Sequence, residues 1–168
     1  EPFSKGLTSA AVHDLVLQEE EQHLLVGTHG RSIYLADISL IQNNDINNLQ
    51  TDIKIFEIGN IPFSENWGTK RSTDINYNNP IINIPIYSKS SNKASMQIID
   101  KNKNILFSKI ILLDNGFNFI DYDLTILDEN ILDSIETSQN VKQFLNKGTY
   151  TISIKTDDSK IENQFTIK

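Results

Sequence analysis

The stretch that decides the fold is VHDLVLQEEEQHLLVGTHGRSIYLADI, at residues 12–38. Residues 11–17 alternate apolar and polar side chains, as a half-buried strand does. A polar turn follows, then a returning strand at residues 23–28. The next turn is His29-Gly30-Arg31, in which Gly30 supplies the unusual φ angle. With a third strand at residues 32–36, the pattern predicts a three-stranded antiparallel meander.

A second set of short strands begins near residue 81. Ile82, Ile84 and Ile86 alternate with more polar positions, and Pro85 interrupts them. Because proline cannot donate a ladder hydrogen bond, Pro85 predicts an edge strand or a bulge. Further strands are predicted at residues 94–100, 105–113, 117–124, 149–154 and 161–167. Strands that recur about every 8–12 residues between turns favour a β-sandwich of the Ig-like or fibronectin-like kind.

The predicted fold is therefore all-β, in three parts. Residues 1–58 hold the meander, a linker with a short helical turn, and a strand that ends the first part. Residues 59–80 form an irregular connection anchored by Phe63 and Trp67. Residues 81–168 form the sandwich, with a long excursion in which Ser138 is a candidate helix cap.

Composition narrows the classes of function. The 168 residues include 22 acidic and 15 basic side chains, for a net charge of −7. This balance argues against nucleic acid or an anionic membrane as the main partner, because both need clustered Lys and Arg. The absence of Cys excludes a disulfide scaffold, Cys-ligated zinc and thiol catalysis. Ile and Asn make up about a quarter of the chain, which favours strands and turns.

Two features bear on the origin of the chain. It opens with Glu1-Pro2-Phe3 rather than Met, and no signal peptide is visible. No apolar run approaches the roughly 20 residues that span a bilayer. We therefore expect a fragment or a processed product without a membrane span.

Residues 12–38 resemble the final blade of bacterial BNR-repeat, or sortilin-like, β-propeller proteins, which are glycosyl-hydrolase-like. In that family, strands of the type VHDLVI and LVIGTHGRSIW precede the dipeptide DI and a short helix. Residues 116–124 and 147–152 resemble the module that follows the propeller, whose patterns are GLNRFxWDL and PGTYTVxL. Tyr122 replaces the usual Trp, and Lys147 replaces the usual Pro. Residues 100–104 stand at the family's D-x-x-G turn, without its Gly.

This resemblance implies a larger, exported parent protein, in which residues 1–58 supply strands of the last blade. A single blade cannot bury its own faces, so its partner would be the rest of the propeller, on the same or a separate chain. The implied role is a non-catalytic accessory region that caps the propeller or mediates contacts outside the cell or in its envelope. Glycans and cell-envelope proteins are further candidate partners.

Five residues are candidates for binding. His13, Asp14, His29 and Arg31 would lie near the mouth of the propeller, where Arg31 could hold a carboxylate with two hydrogen bonds. The alternative, which the resemblance favours, is that Asp14 and Arg31 pair with each other or satisfy loop carbonyls. Trp67 is a candidate sugar-stacking residue, although such aromatic side chains more often fill a core or an interface.

An acidic segment invites a catalytic or calcium-binding interpretation; it comprises Asp121, Asp123, Asp128, Glu129 and Asp133. No EF-type loop follows it, and turn capping or a solvated face is the favoured interpretation. The Asp-box S-x-D-x-G-x-T-W, the G-x-S-x-G elbow, zinc spacings and nucleotide loops are all missing. The sequence thus predicts no catalytic residue, metal or cofactor in this chain. Two alternatives stay open: a fragment of a sialidase-like or xyloglucanase-like glycoside hydrolase, and a carbohydrate-binding module.

Overall fold

The computed structural model describes residues 9–30, 32–43, 51–69, 78–126 and 143–168. The chain divides into two compact units, Glu1–Gln50 and Thr51–Lys168. The fold is all-β, as predicted: the described residues form three antiparallel sheets and one helix of four residues. The helix cap predicted at Ser138 lies outside the described residues.

The first unit contains the predicted meander. Its strands are β1 (Val12–Gln18), β2 (His23–Thr28) and β3 (Ile33–Asp37), hydrogen-bonded in the order β1-β2-β3. The helix α1 (Ser39–Gln42) follows directly, where the sequence predicts a helical turn. The polar segment between β1 and β2 is a tight turn, in which Gln22 adopts a φ of 56°.

Apolar side chains lie on both faces of the meander. The register pairs Leu15 with Val26 on one face, and Val16 with Leu25, which also faces Leu35, on the other. An antiparallel sheet at a domain surface usually presents one apolar and one polar face. Here six large apolar side chains are at least 45% exposed: Val12, Leu15, Val16, Leu17, Ile33 and Leu35.

The described residues of the second unit form a sandwich of seven strands. They are β4 (Ile53–Ile55), β5 (Ile82–Ser88), β6 (Asn92–Ile99), β7 (Ile105–Leu113), β8 (Gly116–Tyr122), β9 (Gly148–Lys155) and β10 (Lys160–Ile167). One sheet has the order β4-β5-β8 and the other β10-β9-β6-β7. Two antiparallel sheets of three and four strands thus form an all-β sandwich. The strand β4, which the sequence places at the end of the first part, pairs with β5 and so lies in this unit.

Isoleucine fills the space between the two sheets. The alternation predicted for β5 is present, because a strand turns successive side chains to opposite faces. Six of the central side chains are at most 1% exposed: Ile84, Ile86, Met96, Ile98, Ile152 and Ile154.

The position of Pro85 corrects one expectation. The strand β5 is the middle strand of its sheet, not an edge, and its pairing with β8 runs through Pro85 without a bulge. Ladder pairing with β4 ends at Ile86, the residue that follows Pro85. The carbonyl of Pro85 accepts a hydrogen bond from the Phe56 N–H at 3.0 Å. The side of Pro85 that lacks an N–H therefore faces β4, and the ladder between β4 and β5 has already ended there.

Two tyrosines fix the loops at the ends of the sandwich. The Tyr150 hydroxyl on β9 donates to the carbonyl of Asn146 at 2.9 Å, four residues upstream. This arrangement matches the tyrosine corner of Ig-like sandwiches. The Tyr122 hydroxyl at the end of β8 donates to the carbonyl of Thr125 at 2.8 Å.

The β6–β7 turn is held by an acidic side chain. One carboxylate oxygen of Asp100 accepts hydrogen bonds from the N–H groups of Asn102 and Asn104, each at 2.8 Å. The pKa of Asp100 is lowered, most of all by a hydrogen bond from the side chain of Asn104 and further by these backbone contacts. Lys103 has a φ of 69° and occupies the Gly position of the D-x-x-G pattern. The turn thus requires a left-handed backbone conformation at this position, and the residue there is a lysine.

Substituting Lys103→Gly should raise the free energy of unfolding by about 0.5–1 kcal/mol, because the strain of a side chain at positive φ exceeds the entropy cost of glycine. Urea unfolding measures the change. The matched control is Lys101→Gly, at a residue of the same turn without positive φ, and it should not stabilise the protein. Equal effects of the two substitutions would contradict the role of φ.

Candidate functional site

His13 and His29 lie side by side at one end of the meander. The register of β1 and β2 shifts between Val12 and Asp14, so that His13 is the extra residue of a β-bulge. A bulge redirects the side chain of its extra residue. The ring centroids of His13 and His29 are 4.9 Å apart at an interplanar angle of 24°, and both residues are exposed.

The turn between β2 and β3 holds His29 in place. The N–H of Thr28 donates to the carbonyl of Ser32 at 3.1 Å. The Thr28 hydroxyl donates to the same carbonyl at 2.6 Å and accepts from the Ser32 N–H at 3.0 Å. Gly30 has a φ of 71°, and the N–H of His29 donates to the carbonyl of Ala11 at 3.0 Å. Backbone and hydroxyl contacts therefore fix the backbone position from which this imidazole projects.

Asp14 makes a local contact in the structure. Its carboxylate accepts a hydrogen bond from the N–H of Leu15 at 2.9 Å. Gly27 lies opposite Asp14, and a β-carbon added at Gly27 would be 3.7 Å from the β-carbon of Asp14. Arg31, the proposed partner of Asp14, lies outside the described residues, so their pairing stays a prediction.

Trp67 lies in the other unit, within an aromatic cluster. Its half-buried ring meets the edge of Phe63 at 5.2 Å and that of Phe144 at 6.2 Å between centroids. The neighbouring chain runs along β10, since the N–H of Ile61 donates to the carbonyl of Thr166 at 2.9 Å. These contacts give the indole a packing role in the irregular connection. The four candidates that the structure describes are thus distributed over two units, with His13, Asp14 and His29 in one and Trp67 in the other.

Two members of the acidic segment make hydrogen bonds of a structural kind. The carboxylate of Asp121 accepts from the side-chain amide of Asn83 at 2.9 Å, across β5 and β8. The carboxylate of Asp123 accepts from the hydroxyl of Thr125 at 2.5 Å and from its N–H at 3.3 Å. The remaining acidic residues, Asp128, Glu129 and Asp133, lie outside the described residues.

The sequence did not predict a cleft of about 510 Å³ between β7 and the end of β8. Its lining includes the Phe107–Tyr122 aromatic pair, with centroids 4.7 Å apart, and the charged groups of Lys109, Asp121 and Asp123. Lys109 pairs in register with the buried Met96. On β7, the edge strand of its sheet, it therefore occupies a position on the face that packs inside the sandwich. Burial raises the pKa of Tyr122 well above its usual range. In the sequence, the available signal for this cleft was a lysine at a position of β7 where the alternation predicts an apolar side chain.

No cluster of three or more His, Asp or Glu residues suited to a metal ion occurs among the described residues. The same residues contain no helix with the length and apolar character that a membrane span requires. Comparisons with models of protein families, with curated proteins and with solved structures find no match for the chain.

The cluster around Trp67 yields a stability prediction at Gly68, whose φ is 76°. A β-carbon at Gly68 would lie 2.7 Å from a ring carbon of Phe144. We expect Gly68→Ala to lower the free energy of unfolding by about 2–3 kcal/mol through backbone strain and overpacking. Fluorescence of Trp67, the single tryptophan, reports the unfolding transition.

Gly59→Ala is the matched control, because a β-carbon there meets nothing within 4 Å. That substitution should leave stability unchanged or raise it by up to about 1 kcal/mol. A Gly68→Ala protein as stable as the wild type would show that the aromatic cluster does not constrain the connection.

Proposed function

We propose that the chain is the non-catalytic accessory region of a larger, exported β-propeller protein. In this proposal the meander is part of the last propeller blade, and the sandwich is the Ig-like module that follows it. The region caps the propeller, stabilises it, or mediates its contacts outside the cell or in the cell envelope. The observation that carries the proposal is the apolar character of both faces of the meander.

A propeller blade explains apolar side chains on both faces. Blades are arranged radially, so each sheet packs one face against the preceding blade and the other against the following blade. Leu15 at 58% and Leu35 at 63% exposure lie on opposite faces of the meander. Each buried leucine would contribute about 1.5–3 kcal/mol, which favours an assembly that covers both faces.

The residues in the motifs that resemble the family have structural roles, and these roles suit a non-catalytic function. In the segment GTHGRS, Thr28 and Ser32 close the turn, while Gly30 supplies its left-handed residue. Gly27 lies against Asp14 of the VHD segment. Lys103, which adopts a positive φ, stands where the pattern of the family that the sequence resembles has Gly. These roles support the resemblance as one of local architecture rather than of catalytic chemistry.

The proposal is tested by comparing this chain with a longer product that includes the coding sequence upstream of Glu1. Leu35→Thr should change the unfolding free energy of the short chain by less than about 0.5 kcal/mol, because Leu35 is exposed there. In the longer product, the same substitution should cost about 1.5–3 kcal/mol, because the side chain is then buried.

The matched control is Leu112→Thr, an equally β-compatible change at a leucine that is 76% exposed on the sandwich. It should have little effect in either protein. A start codon directly upstream of Glu1, or a Leu35→Thr effect of equal size in both proteins, would overturn the proposal. Glycan hydrolysis by the short chain would overturn its non-catalytic part.

A further inference from the structure

The imidazole pair has a geometry that the proposed packing role does not explain. His13 and His29 are the two histidines at one end of the meander, and their ring centroids are 4.9 Å apart. We infer that this pair is a binding site for a divalent ion of the late first transition row, such as Cu²⁺, Ni²⁺ or Zn²⁺. The inference rests on the meander alone and does not depend on the propeller.

The separation of the rings suits a shared ion. At metal–nitrogen distances of about 2.0–2.1 Å, two imidazoles at adjacent positions of one ion have centroids roughly 4.5–5.2 Å apart. The observed separation of 4.9 Å lies within that range. The nearly parallel rings must rotate for both lone pairs to point at one ion. Rotation about χ2 provides this, because that torsion of histidine is broad.

The backbone places the two rings together before any ion binds. The bulge in β1 turns His13 toward the end of β2, and the Thr28–Ser32 contacts with the hydrogen bond to Ala11 hold His29. Little backbone ordering therefore opposes binding, which favours affinity. Both side chains are exposed, so an ion reaches them without unfolding.

Two imidazoles fill only two coordination positions of the ion and leave the others open. Among the described residues no third His, Asp or Glu completes a metal cluster, so water or a donor from another molecule occupies these positions. Imidazole favours Cu²⁺, Ni²⁺ and Zn²⁺ over Ca²⁺ and Mg²⁺, which prefer oxygen ligands. The expected order of affinity is Cu²⁺ above Ni²⁺ and Zn²⁺, with no detectable binding of Ca²⁺.

Calorimetric titration of the complete, untagged chain with ZnCl₂ tests the inference. We expect one ion per chain in the wild type. Substituting either His13→Ala or His29→Ala should weaken binding by about tenfold or more, and the double variant should not bind. Because both side chains are exposed, the circular dichroism spectrum and the unfolding midpoint without metal should stay unchanged.

His23→Ala is the matched control, since His23 lies at the opposite end of β2 and pairs in register with Asp37. Its affinity for Zn²⁺ should stay within about twofold of the wild type. In nuclear magnetic resonance, substoichiometric Cu²⁺ should broaden the imidazole signals of His13 and His29 before those of His23. Unchanged Zn²⁺ affinity in both single variants, or an equal loss in His23→Ala, would overturn the inference.

Discussion

Burial of alternate isoleucine side chains between two sheets is the interaction on which the second unit depends. Each fully buried isoleucine contributes about 1.5–3 kcal/mol relative to an exposed one. Ile84 and Ile86 from one sheet, and Ile98 and Ile152 from the other, are completely buried. The facing sides of the two sheets therefore bury their apolar side chains, whereas Ile110 and Leu112 of the same unit are 57% and 76% exposed.

The meander obeys the same alternation with a different result. Its strands place apolar side chains on both faces, and six of the large ones stay mostly exposed in this chain. A sheet of three strands cannot cover itself on two sides. The two units thus differ in how far their apolar side chains are buried rather than in secondary structure, and this difference is the ground for proposing a partner for the meander.

Local sequence was a good guide to the strands and turns, and a poorer guide to relations between strands. The alternation predicted β1 and β5, and the turn at Gly30 predicted where the chain reverses between β2 and β3. The edge strand or bulge predicted from Pro85 was wrong, because the effect of this proline depends on where the neighbouring strand β4 ends. Likewise, the bulge at His13 is a property of the β1–β2 register, which no single strand specifies. The cleft at Lys109 also joins residues that are distant in sequence.

The sequence by itself determined the all-β class, the meander, the succession of sandwich strands and the absence of thiol chemistry. These follow from side-chain periodicity, turn preferences and composition, which act over a few residues. Only the tertiary structure decided which strands share a sheet, that His13 lies against His29, and that Trp67 packs between Phe63 and Phe144. The physical reason is that register and packing depend on partners far away in the chain, whose positions no local pattern encodes.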